Sequence, residues 1–323
     1  MAIKVDVSAL EQSVLIFKKL RERLVVPVES VGIYLKSPGM LFLKKHLLYY
    51  SGVEFDEPLL TQLFEEVTRD PVAGDDENIF SRSMRHGFQY VDVMEKSLND
   101  IDLGAIIQQA FTLANAYLPK KIQEEVTVYI LYGIRGTGIM LGNEIAIDIC
   151  DEYVSIDGFL DINNLIAILA HEFHHIGVHE NISNSLQHVG KEKNKSLIRF
   201  IEELLSEGVA YYFLPSPYHG GGTLDRKWNN NLGNISVILS KVSHCIGQIS
   251  NGAPADPTLT QQLFDEGLEG YTAGYVMIKA IHDVFGRTAV FDCIENCLLF
   301  PQIYNMAVEK GNLALPIMNY NMR

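Results

Sequence analysis

The sequence predicts an α+β fold that is mainly helical and contains a small β-sheet. From Ser8 to about Leu118, apolar residues recur with helical spacing between turn signals. After Pro119 the apolar period changes to two over two short segments, and a helix-period segment with a His-Glu-x-x-His motif follows. We therefore expect a helical N-terminal region at residues 1–119 and a second region at residues 120–323 that carries the sheet and the motif.

The first region is predicted to be a series of helices, and it contains no candidate catalytic or binding residues. Ser8 can cap the first helix, and the pairs Pro38-Gly39 and Ser51-Gly52 bracket the next. His46 and His86 are isolated, and we expect structural or surface roles for them. The expected helices are 9–23, 40–50, 78–98 and 103–117.

Two segments of alternating hydrophobicity, Thr127–Tyr132 and Glu144–Ile149, are typical of strands. Four glycines separate them, at positions 133, 136, 138 and 142. We expect a small sheet just before the motif. It could be a plain supporting hairpin, or its edge strand could pair with an extended peptide substrate. The sequence leaves both interpretations open.

The motif predicts a metal site on a helix. Asp161 can cap this helix, and Leu165, Leu169 and Phe173 would bury its apolar face. His171 and His175 then lie one turn apart, about 5–6 Å between Cβ atoms, which suits two ligands of one zinc ion. Glu172 would lie beside the zinc-activated water as a general base.

A catalytic zinc site needs a third protein ligand, which we expect on a helix at residues 196–214. Glu203 and Glu207 lie one turn apart on it, so one could bind metal while the other supports a ligand. We favour Glu207, because Gly208 would let this helix approach the metal helix closely. His179 continues the face of His171 and His175, but such a single step is more typical of a solvated helix end.

The remaining chain predicts a loop and further helices. Gly220–Gly222 and Asn229–Asn231 indicate a flexible loop. Gly286 is a candidate helix cap, and Pro301 would stop the helix before it. Cys293 and Cys297 stand one turn apart on a predicted helix, and we expect all four cysteines to be buried thiols. The expected helices are 232–249, 259–266, 271–285 and 288–300.

Composition limits the classes of partner. The 323 residues are 47% hydrophobic and 20% charged, and the net charge of −14 disfavours nucleic acid and anionic membranes as partners. The N-terminus lacks a signal-peptide pattern, and no run approaches the roughly 18 apolar residues of a membrane span. We expect a cytoplasmic protein. The oligomeric state is not indicated.

Three segments carry a resemblance to known families. His171-Glu172-x-x-His175, followed by Ser206-Glu207-Gly208-Val209-Ala210, resembles the gluzincin metallopeptidases, and the residues around Tyr271 and Gly274 resemble the Tyr-x-x-Gly segment of the aminopeptidase-N family. The chain is also similar to a group of bacterial zinc-dependent proteases. The resemblance covers roughly residues 125–290. It implies that Glu207 is the third zinc ligand and that Tyr271 stabilises the tetrahedral intermediate.

The chain also departs from aminopeptidase N. The segment between His175 and Glu207 is longer than usual, and residues 138–144 only loosely echo the strand that recognises a free amino terminus. We therefore expect a zinc peptidase that acts on a peptide or protein, with endo- or exopeptidase action open. The alternative is a protein that keeps the metal site as a non-catalytic binding module.

Overall fold

In a computed structural model of the chain, the described residues are 2–69, 79–135, 137–150, 154–185, 195–215, 223–253, 263–264 and 268–320. They form a mainly helical structure with a four-stranded sheet and a two-stranded hairpin, so the predicted fold class is confirmed. Two compact units are present, residues 1–112 with 123–172 and residues 113–122 with 173–323. The functional division at residue 119 stays a prediction.

The first unit contains the strands and the N-terminal helices. Its fully buried side chains include Phe17, Tyr34, Met84 and Tyr132, contributed by helices and by the end of a strand. The described elements in order are β1 (Ile3–Asp6), α1 (Ser8–Arg21), α2 (Val28–Leu35), α3 (Pro38–Ser51), α4 (Glu57–Arg69), α5 (Ile79–Asn99), α6 (Leu103–Asn115), β2 (Val126–Leu131), β3 (Gly138–Leu141), β4 (Glu144–Asp148), β5 (Ser155–Ile156) and β6 (Phe159–Leu160).

The four-stranded sheet has the order β1-β2-β4-β3. Strands β1, β2 and β4 run parallel, and β3 pairs antiparallel with β4 at one edge. Four consecutive residues of β2, from Val128 to Leu131, are buried, as expected for a central strand covered on both faces. The two predicted strands are confirmed to within a residue or two, but they pair in parallel and so do not form a hairpin with each other. Strands β1 and β3 were not predicted.

A buried carboxylate shapes the loop between β2 and β3. Asp148, at the end of β4, accepts the backbone N–H groups of Gly133, Ile134, Arg135 and Cys150 at 2.7–2.9 Å. Four donors satisfy the lone pairs of a carboxylate that is almost wholly removed from water. Asp148 therefore fixes the start of the loop that leads to the edge strand β3.

The second unit is helical. Its largest fully buried side chains are Phe173, Phe300 and Tyr304. Helix α7 (Ile162–Ser185) begins in the first unit and ends in the second. The described helices that follow are α8 (Lys195–Phe213), α9 (Thr223–Gly233), α10 (Ile235–Ser250), α11 (Glu269–Phe285), α12 (Arg287–Glu295), a 3₁₀ turn (Cys297–Leu299) and α13 (Phe300–Lys310).

Of the two helix-capping predictions outside the motif helix, the one for Ser8 was wrong and the one for Gly286 is confirmed. Ser8 is the first residue of α1 instead of its cap, and its N–H donates to the Asp6 carboxylate at 3.0 Å. Gly286 does follow α11, with a positive φ of 79° that favours glycine, so this predicted cap is confirmed.

Two further predictions in the second unit were wrong. Asn229–Asn231 lie in helix α9 instead of a loop. Pro301 lies in the first turn of α13 and does not stop a helix, because a first-turn N–H has no partner within the helix for proline to remove. Gly220–Gly222 and most of the helix expected at 259–266 lie outside the described residues.

The cysteines and the isolated histidines have structural surroundings. All four cysteines are buried thiols, as predicted, although Asn296 breaks the expected helix between Cys293 and Cys297. Burial raises the pKa of the Cys297 thiol to about 12. His46 is buried against Tyr50, and burial, with Arg135 nearby, lowers its pKa to about 4. His46 is therefore a neutral packing residue at physiological pH.

None of the described helices is both long enough and apolar enough to cross a bilayer.

Candidate metal centre

Helix α7 carries the His-Glu-x-x-His motif well inside its length. The Asp161 carboxylate accepts the N–H of Asn164 at 3.1 Å, so Asp161 caps this helix as predicted. Leu165, Leu169 and Phe173 are completely buried and hold one face of the helix in the core. The motif therefore has a fixed helical backbone, on which His171 and His175 lie one turn apart.

The structure brings together His171, His175 and Glu207. One ligand atom from each residue lies within 4.8 Å of the other two, and all three side chains are partly exposed. The Nε2 atom of His175 lies 3.4 Å from Oε1 of Glu207. Two atoms bound to one tetrahedral zinc ion at about 2.0–2.1 Å would be separated by about 3.4 Å. The donor set and its spacing therefore fit zinc. Glu203, the other candidate, is outside this group.

Ser206 orients one of the two histidines, a role that we did not predict. Its Oγ lies 2.5 Å from Nδ1 of His175, on the opposite side of the ring from the nitrogen that faces Glu207. If Nδ1 carries the ring proton and donates it to Ser206, Nε2 keeps the lone pair that a metal requires. The only sequence signal for this role is that Ser206 precedes Glu207.

Glu172 lies against the beginning of the edge strand β3. Its side chain is largely buried, and a Cβ added at Gly138 would lie 2.7 Å from Glu172 Oε1 and 2.8 Å from its Cγ. Any side chain at position 138 would therefore displace the carboxylate. The absent side chain lets backbone and carboxylate approach closely, and the strand starts beside the predicted general base.

Gly208 contacts a different helix from the one predicted. We expected it to face the metal helix, but a Cβ at Gly208 would lie 2.4 Å from the carbonyl carbon of Gly274 in α11. A Cβ at Gly274 would in turn lie 2.2 Å from the carbonyl oxygen of Leu204. Two glycines thus allow backbone contact between α8, which carries Glu207, and α11, which carries Tyr271.

Tyr271 is the third residue of α11 and is partly buried. Its ring stacks on Tyr211, with 5.8 Å between centroids and 20° between planes. Tyr211 follows Glu207 by one helical turn and also stacks on Trp228 at 5.0 Å. Tyr275, one turn after Tyr271, packs on the same tryptophan at 5.4 Å. The role of Tyr271 in stabilising an intermediate stays a prediction.

His179 lies in α7, one turn beyond His175. Its Nδ1 lies 2.7 Å from Oε1 of Glu202, and more than half of its side chain is exposed. It is outside the group formed by His171, His175 and Glu207. Its exposure agrees with the predicted solvated position, one turn beyond the motif.

The fold and the site define a mainly helical protein with a candidate His-His-Glu metal centre, in which two ligands come from one helix and the third from another. The chain matches, over residues 40–313, the family described as "Putative zinc dependent peptidase (DUF5700)". It belongs to this family. No curated protein and no solved structure matches the chain.

Proposed function

We propose that this protein is a gluzincin-type zinc peptidase that hydrolyses peptide bonds. The observation that carries the proposal is the convergence of three ligand atoms from His171, His175 and Glu207, next to a glutamate at the position of a general base. Membership of a family described as zinc-dependent peptidases supports the same reaction class.

The proposed chemistry divides among three groups. A zinc ion held by His171, His175 and Glu207 would lower the pKa of a water molecule towards neutrality. Glu172 accepts the proton of the attacking water and passes it to the leaving amine. Tyr271 donates a hydrogen bond to the oxyanion that develops on the carbonyl oxygen. Ser206 keeps Nε2 of His175 directed at the ligand group.

Strand β3 is the proposed docking edge for the substrate. It is one of the two outer strands of the described sheet, and its first residue, Gly138, lies against the Glu172 side chain. An extended peptide that adds to β3 forms main-chain hydrogen bonds along the strand, which would place one of its peptide bonds near the carboxylate. This arrangement favours the peptide-pairing interpretation over the plain supporting hairpin.

The alternative function is a metal-binding module without turnover. It requires the same three ligands but no base. The buried carboxylate of Glu172 argues against it, because desolvating a carboxylate costs free energy that a structural zinc site has no reason to incur.

A matched pair of variants tests the chemistry. Glu172→Gln keeps the size and the hydrogen-bonding atoms of the side chain but cannot accept a proton. We expect zinc content near that of the wild type and a loss of about 10²–10⁴-fold in hydrolysis, the range for a general base. The measurement is cleavage of a diverse peptide library by mass spectrometry, with metal content from elemental analysis.

The controls separate the two functions. Cleavage by the wild-type protein should stop on addition of a zinc chelator and return with zinc. Zinc binding without cleavage of any library peptide would favour the binding module. Cleavage by Glu172→Gln at the wild-type rate would refute the proposed role of Glu172.

A further inference from the structure

The second unit contains a continuous column of three aromatic rings. The rings belong to Trp228, Tyr211 and Tyr271. The rings of Trp228 and Tyr211 are 5.0 Å apart and inclined by 23°, and those of Tyr211 and Tyr271 are 5.8 Å apart and inclined by 20°. Helices α9, α8 and α11 contribute one ring each. Near-parallel rings at these distances attract one another beyond the burial of their area.

The middle ring is tied to the helix of the third candidate ligand. Tyr211 follows Glu207 by four residues, so the two side chains lie on one face of α8. Tyr211 and Trp228 are both buried, whereas Tyr271 is partly exposed. The column therefore has two buried rings and one partly exposed ring, that of Tyr271.

The backbone on both sides of the column has little freedom. Gly208 and Gly274 bring α8 and α11 into direct contact, three residues from Tyr211 and from Tyr271. Thr272, next to Tyr271, is completely buried and donates to the Leu268 carbonyl at 2.8 Å. With both backbones fixed, the main freedom left to Tyr271 is rotation of its side chain. The stacked ring of Tyr211 limits this rotation together with Phe264, whose ring lies 6.0 Å away at a steeper angle.

We propose that Tyr211 is a positioning residue, which holds the ring of Tyr271 by stacking so that its hydroxyl is presented in one orientation. Trp228 supports Tyr211 from the other side. This inference rests on the proposed function in so far as Tyr271 is the oxyanion donor. Misplacing a reacting group by about 1 Å can cost about 10²-fold in rate, so the stacked ring matters although it does not touch the substrate.

The first test does not depend on activity. Crystal structures of zinc-loaded wild-type protein and Tyr211→Leu are compared after superposition of α8 and α11. We expect the Tyr271 hydroxyl to move by more than about 1 Å, or its side chain to change rotamer, since sites need positional precision of about 0.5 Å. A hydroxyl that stays within about 0.5 Å overturns the proposal.

The single tryptophan of the chain gives a second readout in solution. Removing the ring of Tyr211 opens the buried face of Trp228, so we expect red-shifted emission and stronger acrylamide quenching in Tyr211→Leu. Tyr211→Phe keeps the ring and should keep the wild-type emission. Phe213→Leu is the matched control, because Phe213 lies on the same helix but packs on Tyr117 and His282 outside the column.

The kinetic test is a double-mutant cycle with Tyr271→Phe, which alone should lose about 10²–10³-fold as one oxyanion donor. We expect Tyr211→Leu to lower kcat by about 10–10²-fold with little change in KM, and to cause no further loss in the Tyr271→Phe background. Tyr211→Phe should restore the rate. Additive losses would mean that Tyr211 acts only through general stability, which overturns the proposal.

Failure of the two proposals can be told apart. If the wild-type protein cleaves no peptide, the peptidase proposal fails, while the crystal structures still decide whether Tyr211 holds Tyr271. If cleavage occurs and Tyr271 stays in place in Tyr211→Leu, the peptidase proposal stands and the positioning role is refuted. If Tyr211→Leu does not fold, Trp228→Phe tests the same column by a smaller change.

Discussion

Two neighbouring residues of α8 serve the same histidine in different ways. Oε1 of Glu207 lies 3.4 Å from Nε2 of His175, and Oγ of Ser206 lies 2.5 Å from Nδ1. Successive residues on a helix point about 100° apart, so these two side chains can reach opposite sides of one imidazole ring. In the proposed site, Glu207 would supply one ligand while Ser206 orients another, His175.

Ser206→Ala should weaken zinc binding without removing a ligand. The substitution deletes the acceptor that holds His175 in one tautomer and orientation, and such a loss typically lowers metal affinity by about 10–100-fold. Competition titration against a chromophoric chelator measures the change. Ser240→Ala is a control, because Ser240 is exposed and bonds only to the Ser236 carbonyl of its own helix. Equal affinities for both variants would refute the role of Ser206.

At the scale of elements, the contact between α8 and α11 depends on two glycines. We expect Gly208→Ala to destabilise the protein by about 1–3 kcal/mol, because its methyl group would lie 2.4 Å from the carbonyl carbon of Gly274 and must push the helices apart. Chemical denaturation followed by circular dichroism measures this change. Gly233→Ala at the end of α9 meets no atom within 4 Å and should have little effect. Equal stability of the two variants would contradict the close contact.

The sequence was sufficient to predict the helices and strands whose hydrophobic pattern is long enough to repeat within the element. Helices α7 and α8 and strands β2 and β4 lie close to their predicted positions. Strands β1 and β3 have only four residues each, too few to show alternation, and β1 finds its partner more than a hundred residues later. Pro301 misled because proline marks both the end of one helix and the first turn of another.

The same distinction applies to the candidate site. His171, Glu172 and His175 belong to one short motif, so their shared helix face follows from the helical period. The choice between Glu203 and Glu207 depends on the packing of two helices, which the local sequence does not encode. Because helix packing is not encoded locally, the helix that Gly208 contacts was predicted wrongly. The hydrogen bond between Ser206 and His175 was not predicted.

At the scale of the whole molecule, zinc should raise the midpoint of thermal unfolding. A ligand that binds only the folded state adds about 2.7 kcal/mol at a hundred times its Kd, which corresponds to a shift of several degrees. Differential scanning calorimetry of metal-free protein with added zinc measures the shift. We expect it in the wild type and in Glu203→Ala, but not in Glu207→Ala or the double variant His171→Ala/His175→Ala.

Two results would contradict the proposed ligand set. A zinc-dependent shift that persists in Glu207→Ala and disappears in Glu203→Ala would move the third ligand to Glu203. A shift that persists in the double histidine variant would place the bound zinc at other residues.

The parallel pairing of β1 with β2 has a consequence for synthesis on the ribosome. Residue 3 pairs with residue 126, so about 120 residues separate the two partners. At translation rates of about 5–20 residues per second, β1 emerges about 6–24 s before β2. Helices α1–α6 are all made in this interval, while the backbone donors and acceptors of β1 lack their strand partner. A nascent chain stalled before residue 126 therefore presents β1 to chaperones and proteases.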